Sequence, residues 1–232
     1  MPESAAAKRP LVVANFAMTV DGKISTRSFS PSLFTSPADK ARLQEIRAEA
    51  DGILVGRGTV AADSMSLGLS RKDLQAQRTA AGKSPAPVRA IVSNSGRFDP
   101  RWKVFTNTQS PLVVFSTTQM TTASRAKVAG LCDLRLFEKP QVPLLAALRI
   151  LREEYGVRRL VCEGGAQLFR SLAEADFVDE IYVTLAPFIF GGTGAPTLTG
   201  LPGSFLKTPR AFRIAKMEQI GDECFLHFRR RR

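Results

Sequence analysis

VRRLVCEGGAQLFRSLA, at Val157–Ala173, joins an apolar run, two glycines and a second apolar run without a break. The first run ends at Cys162 and predicts a buried strand. Gly164-Gly165 then forms a turn signal, and apolar residues recur at helical spacing as far as Ala173. A strand that leads through glycine into a helix is typical of α/β proteins, so this stretch predicts an α/β fold.

A second stretch with the same plan lies earlier in the chain. Gly52–Val55 predicts a buried strand, and Gly56-Arg57-Gly58-Thr59 follows it directly. Exposed backbone N–H groups and the positive end of a helix dipole at such turns favour phosphate. Neither turn has the GxGxxG or GxxxxGK[ST] spacing, and each alone is typical of ordinary turn chemistry. Two of them at strand ends in one basic chain favour a dinucleotide site.

The rest of the chain continues the alternation of strands and helices. Strands are predicted at Leu11–Phe16, Val88–Val92, Leu112–Phe115, Leu134–Phe137 and Val178–Leu185, and helices from Ser36-Pro37 to Ala50 and over Pro143–Tyr155. The polar stretch Ser64–Pro87 predicts an irregular loop, and Ala211–Met217 with Glu223–Arg229 predicts a closing antiparallel hairpin. We therefore expect a mixed central sheet flanked by helices, with an N-terminal tail over residues 1–10 and one domain over 11–232.

The composition excludes several classes of function. The 232 residues are 44% hydrophobic and 23% charged, as in globular proteins. No apolar stretch approaches the ~20 residues that a membrane-spanning helix needs, so we expect a cytoplasmic protein without a membrane partner. Three cysteines without a CxxC spacing and a single histidine, His227, argue against a disulfide framework, a metal site and histidine-based catalysis.

The net charge of +12, from 33 basic and 21 acidic residues, favours an anionic partner. Part of this charge lies in a C-terminal run of arginines at Arg229–Arg232. Aromatic residues do not alternate with the basic ones, as they do in a surface on which bases stack. A solvated basic surface or a phosphorylated small molecule is therefore favoured over nucleic acid.

Four blocks of the sequence together resemble one family of reductases. They are LVVANFAMTVDGKIST (Leu11–Thr26), ILVGRGTVAAD (Ile53–Asp63), CEGGAQLF (Cys162–Phe169) and VDEIYVTLAP (Val178–Pro187). In this order they resemble the reductase domain of riboflavin biosynthesis from Leu11 to about Phe228. The resemblance implies the dihydrofolate-reductase-like fold, with a mostly parallel central sheet. It implies the stand-alone form, because the HxE and PCxxC motifs of the zinc-dependent deaminase domain are absent from the sequence.

The resemblance further implies that NADPH reduces a phosphoribosylamino-pyrimidine and that the ribose becomes a ribityl chain. The substrate is 5-amino-6-(5-phosphoribosylamino)uracil or its 2,5-diamino precursor. Thr59, Asp63 and Asn94 lie at the cofactor by family position, as does the turn formed by Gly164, Gly165, Ala166, Gln167, Leu168 and Phe169. Arg57 and Gly58 join them, because a guanidinium beside a strand-end glycine suits the 2′-phosphate of NADPH.

Substrate contacts are expected at Asn15, Arg47, Leu67, Arg71 and Glu163, those of Arg47, Leu67 and Glu163 by family position. Because no histidine lies near the motifs, the catalytic candidates are the carboxylates of Asp63 and Glu163. Glu163 would orient the substrate by accepting hydrogen bonds. Asp63 would position the nicotinamide or relay a proton through water. Alternatively, both carboxylates stabilise helix N-termini and take no part in catalysis.

The chain departs from the family pattern on the substrate side. Ser64-Met65 replaces the usual Asp-Pro, and Leu67–Ser70 replaces Leu-Thr-Val-Arg. The arginine of the family pattern is thus missing at Ser70, and Arg71 lies one residue further along the chain. Asn15 stands where bacterial members commonly carry lysine. Stand-alone archaeal and fungal reductases, which act before deamination, tend to carry asparagine there.

Two other functions remain open alongside this one. The first is a dihydrofolate reductase or a related reductase, which requires a carboxylate on the first long helix. Glu45 and Glu49 are the carboxylates that could serve there. The second is a basic nucleic-acid-binding protein. The family resemblance also implies a homodimer. The segment Phe188-Ile189-Phe190 supports it, because it contains more apolar residues than one face of a sheet would bury.

Overall fold

The computed structural model describes residues 9–26, 34–63, 65–200, 206 and 208–231, without the side chain of Asp63. Of the predicted tail, residues 1–8 lie outside the described residues, and Pro10 is buried. The chain forms two compact units, one of residues 1–11 and 44–161 and one of residues 12–43 and 162–232. The single domain over 11–232 stays a prediction.

Strands and helices alternate along most of the chain. In chain order the elements are β1 (Leu11–Thr19), α1 (Pro37–Glu49), β2 (Gly52–Gly56), α2 (Arg57–Asp63), α3 (Lys72–Ala80), β3 (Val88–Val92), α4 (Lys103–Thr106), β4 (Leu112–Thr117), α5 (Thr122–Val128), β5 (Asp133–Phe137), α6 (Leu144–Glu153), β6 (Arg159–Cys162), α7 (Ala166–Glu174), β7 (Glu180–Ala186), β8 (Phe212–Ile220) and β9 (Glu223–Arg230). The predicted strands and the two long predicted helices are all present. Their ends differ from the predicted ends by a few residues.

The strands of the first unit lie in the order β5-β4-β3-β2-β6. Each of the pairs β2·β3, β3·β4 and β4·β5 is parallel. Every residue of β4 is buried, as are four of the five residues of β2. Such continuous burial is typical of parallel strands that are covered on both faces.

The second unit has mixed strands in the order β1-β7-β9-β8. β1 and β7 are parallel, whereas β7·β9 and β8·β9 are antiparallel. The predicted α/β fold with an antiparallel C-terminal hairpin is therefore confirmed. β8 lies at the end of this order and exposes most of its residues, including Ile214 and Met217.

The prediction of an irregular loop over Ser64–Pro87 is wrong. Residues 72–80 form the helix α3, and Leu69 and Leu74 pack with Ala86 in an apolar cluster. Arg78 is buried, and its guanidinium donates to the carbonyl oxygens of Ala48 and Ala50 at 2.7 and 2.5 Å. The polar sequence hides this helix because only a few of its residues face the core.

The start of α1 follows the predicted capping. The hydroxyl oxygen of Ser36 accepts hydrogen bonds from the backbone N–H groups of Ala38 and Asp39 at 3.1 and 3.3 Å. The same hydroxyl donates to a carboxylate oxygen of Glu223 at 2.5 Å. The cap therefore also ties the beginning of α1 to β9 within the second unit.

Candidate functional site

The first glycine turn lies where β2 ends and α2 begins. Arg57 opens α2 and is half-buried, as is Thr59, while Gly58 is exposed. A Cβ atom at Gly58 would meet no atom of the described residues within 4 Å, so among these residues the backbone there is open to approach. The turn thus offers a guanidinium and bare main chain at the carboxyl end of a parallel strand, where α/β proteins bind their ligands. The side chain of Asp63 lies outside the described residues.

Asn94 follows β3 in the same unit and has a structural contact. Its side-chain oxygen accepts the backbone N–H of Val142 at 3.0 Å, and its main-chain oxygen accepts the hydroxyl of Thr117 at 2.9 Å. The amide oxygen therefore holds the loop before α6. The predicted contact of Asn94 with a cofactor stays a prediction.

The second glycine turn, in the second unit, joins β6 to α7. Gly164 has φ +100, a conformation that side chains disfavour, and its peptide bond to Gly165 is cis. Gly165 has an ordinary extended conformation, with φ −76 and ψ −179, and no side chain in the described part of the chain caps α7. A helix start without a side-chain cap is suited to bind an anion through its first N–H groups. Ala166 is half-buried and Gln167 is exposed at this start.

Leu168 and Phe169, also predicted to contact the cofactor, have a packing role. Their side chains are buried, with exposures of 8% and 5%. The ring of Phe169 meets the ring of Phe16 edge-on, with 5.0 Å between the centroids. This contact holds α7 against β1. A cofactor contact by these two residues would therefore have to use their main chain.

Glu163 lies directly after β6 and is buried, with 9% of its surface exposed. The preceding residue, Cys162, is fully buried, and burial raises the pKa of its thiol to about 12. The thiol is thus neutral at physiological pH and is a poor nucleophile. At this position the carboxylate of Glu163 is the group that can bind or orient a polar ligand.

Arg47 contacts the segment that contains Leu67 in the first unit, and the predicted substrate contacts of both residues stay a prediction. Arg47 is buried, and its Nη1 donates to the carbonyl oxygen of Gly68 at 2.7 Å. Leu67 is also buried and has φ +53, the left-handed conformation that costs an L-residue about 1–2 kcal/mol. The segment Ser66–Ser70 is thus held in a strained shape, and Arg47 is one of the residues that hold it.

Sequence reasoning missed two other residues that hold the segment Ser66–Ser70. Asn107 donates from its side-chain amide to the carbonyl oxygen of Ser66 at 2.9 Å. The side-chain oxygen of Gln109 accepts the backbone N–H of Leu69 at 3.3 Å. Both follow α4, some 40 residues along the chain. No local pattern in the sequence signals contacts at such a separation.

Arg71 is engaged by acidic neighbours on the surface of the first unit. Its guanidinium lies 2.5 Å from the carboxylate of Asp73 and 3.5 Å from that of Glu45. The hydrogen bond to Asp73 raises the pKa of Arg71 above its ordinary value. A substrate phosphate would have to compete with these two carboxylates. The predicted substrate contact of Arg71 stays a prediction.

Asn15 lies in the second unit, at the middle of β1. It is half-buried and stands opposite Tyr182 of β7 in the strand register. The ring of Tyr182 stacks on the ring of His227, with 4.2 Å between the centroids, and His227 is paired with Glu180. The single histidine is therefore part of a buried polar cluster on β7 and β9.

Comparison with known proteins places the chain in a family. Residues 10–226 match the model of the RibD C-terminal domain. The chain belongs to the RibD C-terminal domain family. A family relative is the 2,5-diamino-6-ribosylamino-4(3H)-pyrimidinone 5′-phosphate reductase of Archaeoglobus fulgidus. It is 35% identical to this chain, and the match covers 92% of this chain and 95% of the relative's length. The Methanothermobacter thermautotrophicus protein of the same name is 34% identical over 82% of this chain and 83% of its own.

Solved structures of similar proteins share the fold of this RibD C-terminal domain. A pyrimidine reductase-like protein from Corynebacterium diphtheriae has a TM-score of 0.84 at 18% identity, and the match covers 100% of this chain and 96% of the other protein's chain. The Saccharomyces cerevisiae riboflavin biosynthesis reductase Rib7 has a TM-score of 0.66 at 21% identity, over 97% of this chain and 91% of its own. The predicted family and its dihydrofolate-reductase-like fold are therefore confirmed.

Proposed function

We propose that this chain is the NADPH-dependent reductase that converts 2,5-diamino-6-ribosylamino-4(3H)-pyrimidinone 5′-phosphate into its ribityl form. The observation that carries the proposal is the 35% identity to the Archaeoglobus fulgidus reductase, which extends over nearly the whole of both chains. Relatives of the same name from Methanothermobacter thermautotrophicus and Saccharomyces cerevisiae, at 34% and 27% identity, support it.

The residues of both glycine turns fit a phosphate-rich cofactor. In the first unit, Arg57 stands beside a glycine with open space around it. In the second, α7 begins after two glycines and without a side-chain cap. Backbone N–H groups would bind the phosphates in such turns, and Arg57 would bind the 2′-phosphate that distinguishes NADPH from NADH. When bound, NADPH supplies the hydride that reduces C1′ of the substrate sugar.

The substrate chemistry requires three proton movements besides the hydride. The C1′–O4′ bond breaks, O4′ gains a proton and the amine nitrogen loses one, which leaves an open-chain imine. After the hydride has added to C1′, the nitrogen regains a proton. Glu163, which is buried and lies beside the second glycine turn, would accept hydrogen bonds from the substrate and orient it. Asp63 lies at the cofactor by family position, and in this proposal it positions the nicotinamide or relays a proton through water.

The diamino compound is favoured over the deaminated uracil as substrate. Asn15 stands at the position where stand-alone reductases that act before deamination tend to carry asparagine. The archaeal relatives named for the diamino substrate are also covered along most of their length, 95% and 83%. The uracil is the second candidate, because the family resemblance implies it as the alternative substrate and proteins named riboflavin biosynthesis protein RibD match the chain at 29% and 28% identity.

The test is turnover of each pyrimidine with NADPH by the purified chain. We expect a higher kcat/KM for the diamino compound than for the uracil. Gly165→Val is expected to abolish NADPH binding, because a branched side chain blocks close approach of a phosphate to the backbone. Gly165→Ala is the matched control, since φ at position 165 is −76 and allows any side chain. The absence of turnover with both pyrimidines would contradict the proposal.

We also propose that the chain is a homodimer in the cytoplasm. Ile189 and Met217 are exposed by 77% and 67%, and Phe188 by 47%. Apolar side chains exposed to this extent often mark protein contacts. Light scattering should give a mass near twice 25.3 kDa, about 51 kDa, and a mass of 25.3 kDa would contradict the dimer. Among the described residues, no helix has the length and apolar character needed to cross a membrane.

A further inference from the structure

The turn after β1 holds a glycine-rich segment of the second unit at both of its ends. This segment is defined here as the glycine loop, residues 188–197. The backbone N–H of Val20 donates to the carbonyl oxygen of Phe188, and that of Ile24 donates to the carbonyl oxygen of Pro196, each at 2.9 Å. The turn and the two ends of the glycine loop are therefore joined by main-chain hydrogen bonds.

Asp21 adds side-chain hydrogen bonds at the first end of the glycine loop. One carboxylate oxygen accepts the backbone N–H of Gly191 at 2.7 Å, and the other accepts that of Phe190 at 3.2 Å. The hydroxyl of Thr19 donates to the same carboxylate at 2.5 Å. The hydrogen bond from Thr19, with those from Gly191 and Phe190, lowers the pKa of Asp21 against the effect of desolvation. Asp21 is thus ionised at neutral pH and accepts all three hydrogen bonds.

Lys23 adds a side-chain hydrogen bond at the second end of the loop. Its ammonium donates to the carbonyl oxygen of Ala195 at 3.3 Å. Its backbone N–H donates to the hydroxyl oxygen of Thr19 at 3.0 Å. Thr19 therefore connects Lys23 with Asp21, so the motif Asp21-Gly22-Lys23 fixes both ends of the loop from one turn.

The glycine loop borders a cavity between these fixed ends. The cavity has a volume of about 670 Å³, within the usual range for small-molecule sites. It is lined by Thr26 and by residues 189–195. Gly191 and Gly192 have φ +64 and +72, and a Cβ atom at either would meet no atom within 4 Å in the residues that the structure describes. The loop therefore presents bare main chain with a fixed course.

The lining favours an uncharged polar ligand over a phosphate group. Among the described residues it consists of main chain, the hydroxyls of Thr26 and Thr193 and apolar side chains, and it contains no charged side chain. Amino and carbonyl groups on the edge of a planar ring match the N–H and C=O groups of a glycine backbone. Both the aminopyrimidine of the substrate and the carboxamide ring of the cofactor have such an edge.

We propose that the glycine loop binds the edge of a planar heterocycle and that Asp21 is the residue that positions it. The proposal rests on the reductase function proposed above and extends it to a residue outside the glycine turns. Asp21 acts through the backbone of Phe190 and Gly191 and does not itself contact the reacting atoms. Loss of its charge should therefore weaken binding of one ring and leave the chemical step nearly unchanged.

The test compares Asp21→Asn with Asp222→Asn, a matched control at an exposed aspartate in the β8–β9 turn. Asparagine keeps the shape but directs an N–H₂ group at one of the two backbone donors. In Asp21→Asn we expect either KM for the pyrimidine or Kd for NADPH to rise by about tenfold, with kcat within about threefold of wild type. A rise in the first constant assigns the loop to the substrate ring, and a rise in the second assigns it to the cofactor.

A second variant, Lys23→Gln, loosens the other end of the loop and should raise the same constant by a smaller factor. Melting temperatures near that of wild type would exclude general unfolding as the cause. If the wild-type enzyme is active and Asp21→Asn changes neither KM for the pyrimidine nor Kd for NADPH, the positioning role of Asp21 is overturned and the proposed reductase function is not. A wild-type chain that turns over neither pyrimidine would overturn the proposed reductase and this inference together.

Discussion

Removal of the Arg47 guanidinium is expected to disturb both stability and substrate binding. Arg47→Met keeps the apolar part of the side chain but leaves the carbonyl oxygen of Gly68 without its 2.7 Å donor. A buried acceptor that loses its partner costs about 1–3 kcal/mol. For a chain of this length each kcal/mol lowers the melting temperature by about 2–4 °C. The midpoint of thermal unfolding should therefore fall by about 2–12 °C.

The same substitution should change the shape of the segment Ser66–Ser70. Leu67 is held at φ +53, a conformation that costs about 1–2 kcal/mol. The free energy that the Arg47–Gly68 hydrogen bond contributed is of about the same size. The segment can then relax toward an ordinary conformation. Since Leu67 belongs to the proposed substrate site, KM for the pyrimidine should rise by about tenfold or more, whereas Kd for NADPH should not change.

Asn107→Ala is the matched comparison for Arg47→Met. It removes another hydrogen bond of the same segment, the 2.9 Å contact with the Ser66 carbonyl oxygen, without removing a charge. Similar increases in KM for both variants indicate that Arg47 acts by positioning the segment. An increase confined to Arg47→Met indicates that its guanidinium contacts the substrate. Unfolding curves and KM values of Arg47→Met that coincide with those of wild type would refute the reasoning.

Three further predictions concern the cofactor, the pH dependence of stability and catalysis. Arg57→Ala should weaken NADPH binding by about ten- to a hundredfold and leave NADH binding unchanged, as measured by fluorescence titration; equal wild-type affinity for the two cofactors would contradict this. Burial raises the pKa of Asp51, but hydrogen bonds from Lys83 and two backbone N–H groups outweigh it, and the net pKa is lowered. The ionised Asp51 carboxylate therefore stabilises the protein above the unfolded pKa of about 3.9, and this stabilisation is lost as the pH falls through the folded pKa. In urea titrations, Asp51→Asn should lower the free energy of unfolding near neutral pH and should have no such effect in acid. Asp63→Asn should lower kcat by ~10²–10⁴ if Asp63 relays a proton, whereas Glu163→Gln should mainly raise KM; turnover of Asp63→Asn within about twofold of wild type would leave water as the proton donor.

Elements with a clear periodicity could be predicted from the sequence. The strand β2, with its continuous apolar run, and the hairpin β8–β9 lie where the pattern placed them. The helix α3 was missed, because most of its residues are polar and only Leu74 and Arg78 are buried. A buried arginine that binds carbonyl oxygens cannot be told from a surface arginine by sequence pattern alone.

The candidate site could be predicted where main chain defines it, and less well where side chains meet across the fold. The glycine turns follow from residue types that lie next to one another. The contacts that hold Ser66–Ser70 come from Asn107 and Gln109, which no spacing rule connects to that segment. No spacing rule points to the contacts of Asp21 either, because its partners Phe190 and Gly191 lie 169 and 170 residues away.

The fate of the transferred hydride is the most direct test of the proposed reaction. The wild-type chain is incubated with 2,5-diamino-6-ribosylamino-4(3H)-pyrimidinone 5′-phosphate and NADPH that carries deuterium at both C4 positions of the dihydronicotinamide. The proposed function predicts oxidation of the cofactor and a single deuterium at C1′ of a ribityl product, as read by mass spectrometry and NMR. Unreacted cofactor, or deuterium at any other carbon of the product, would contradict it.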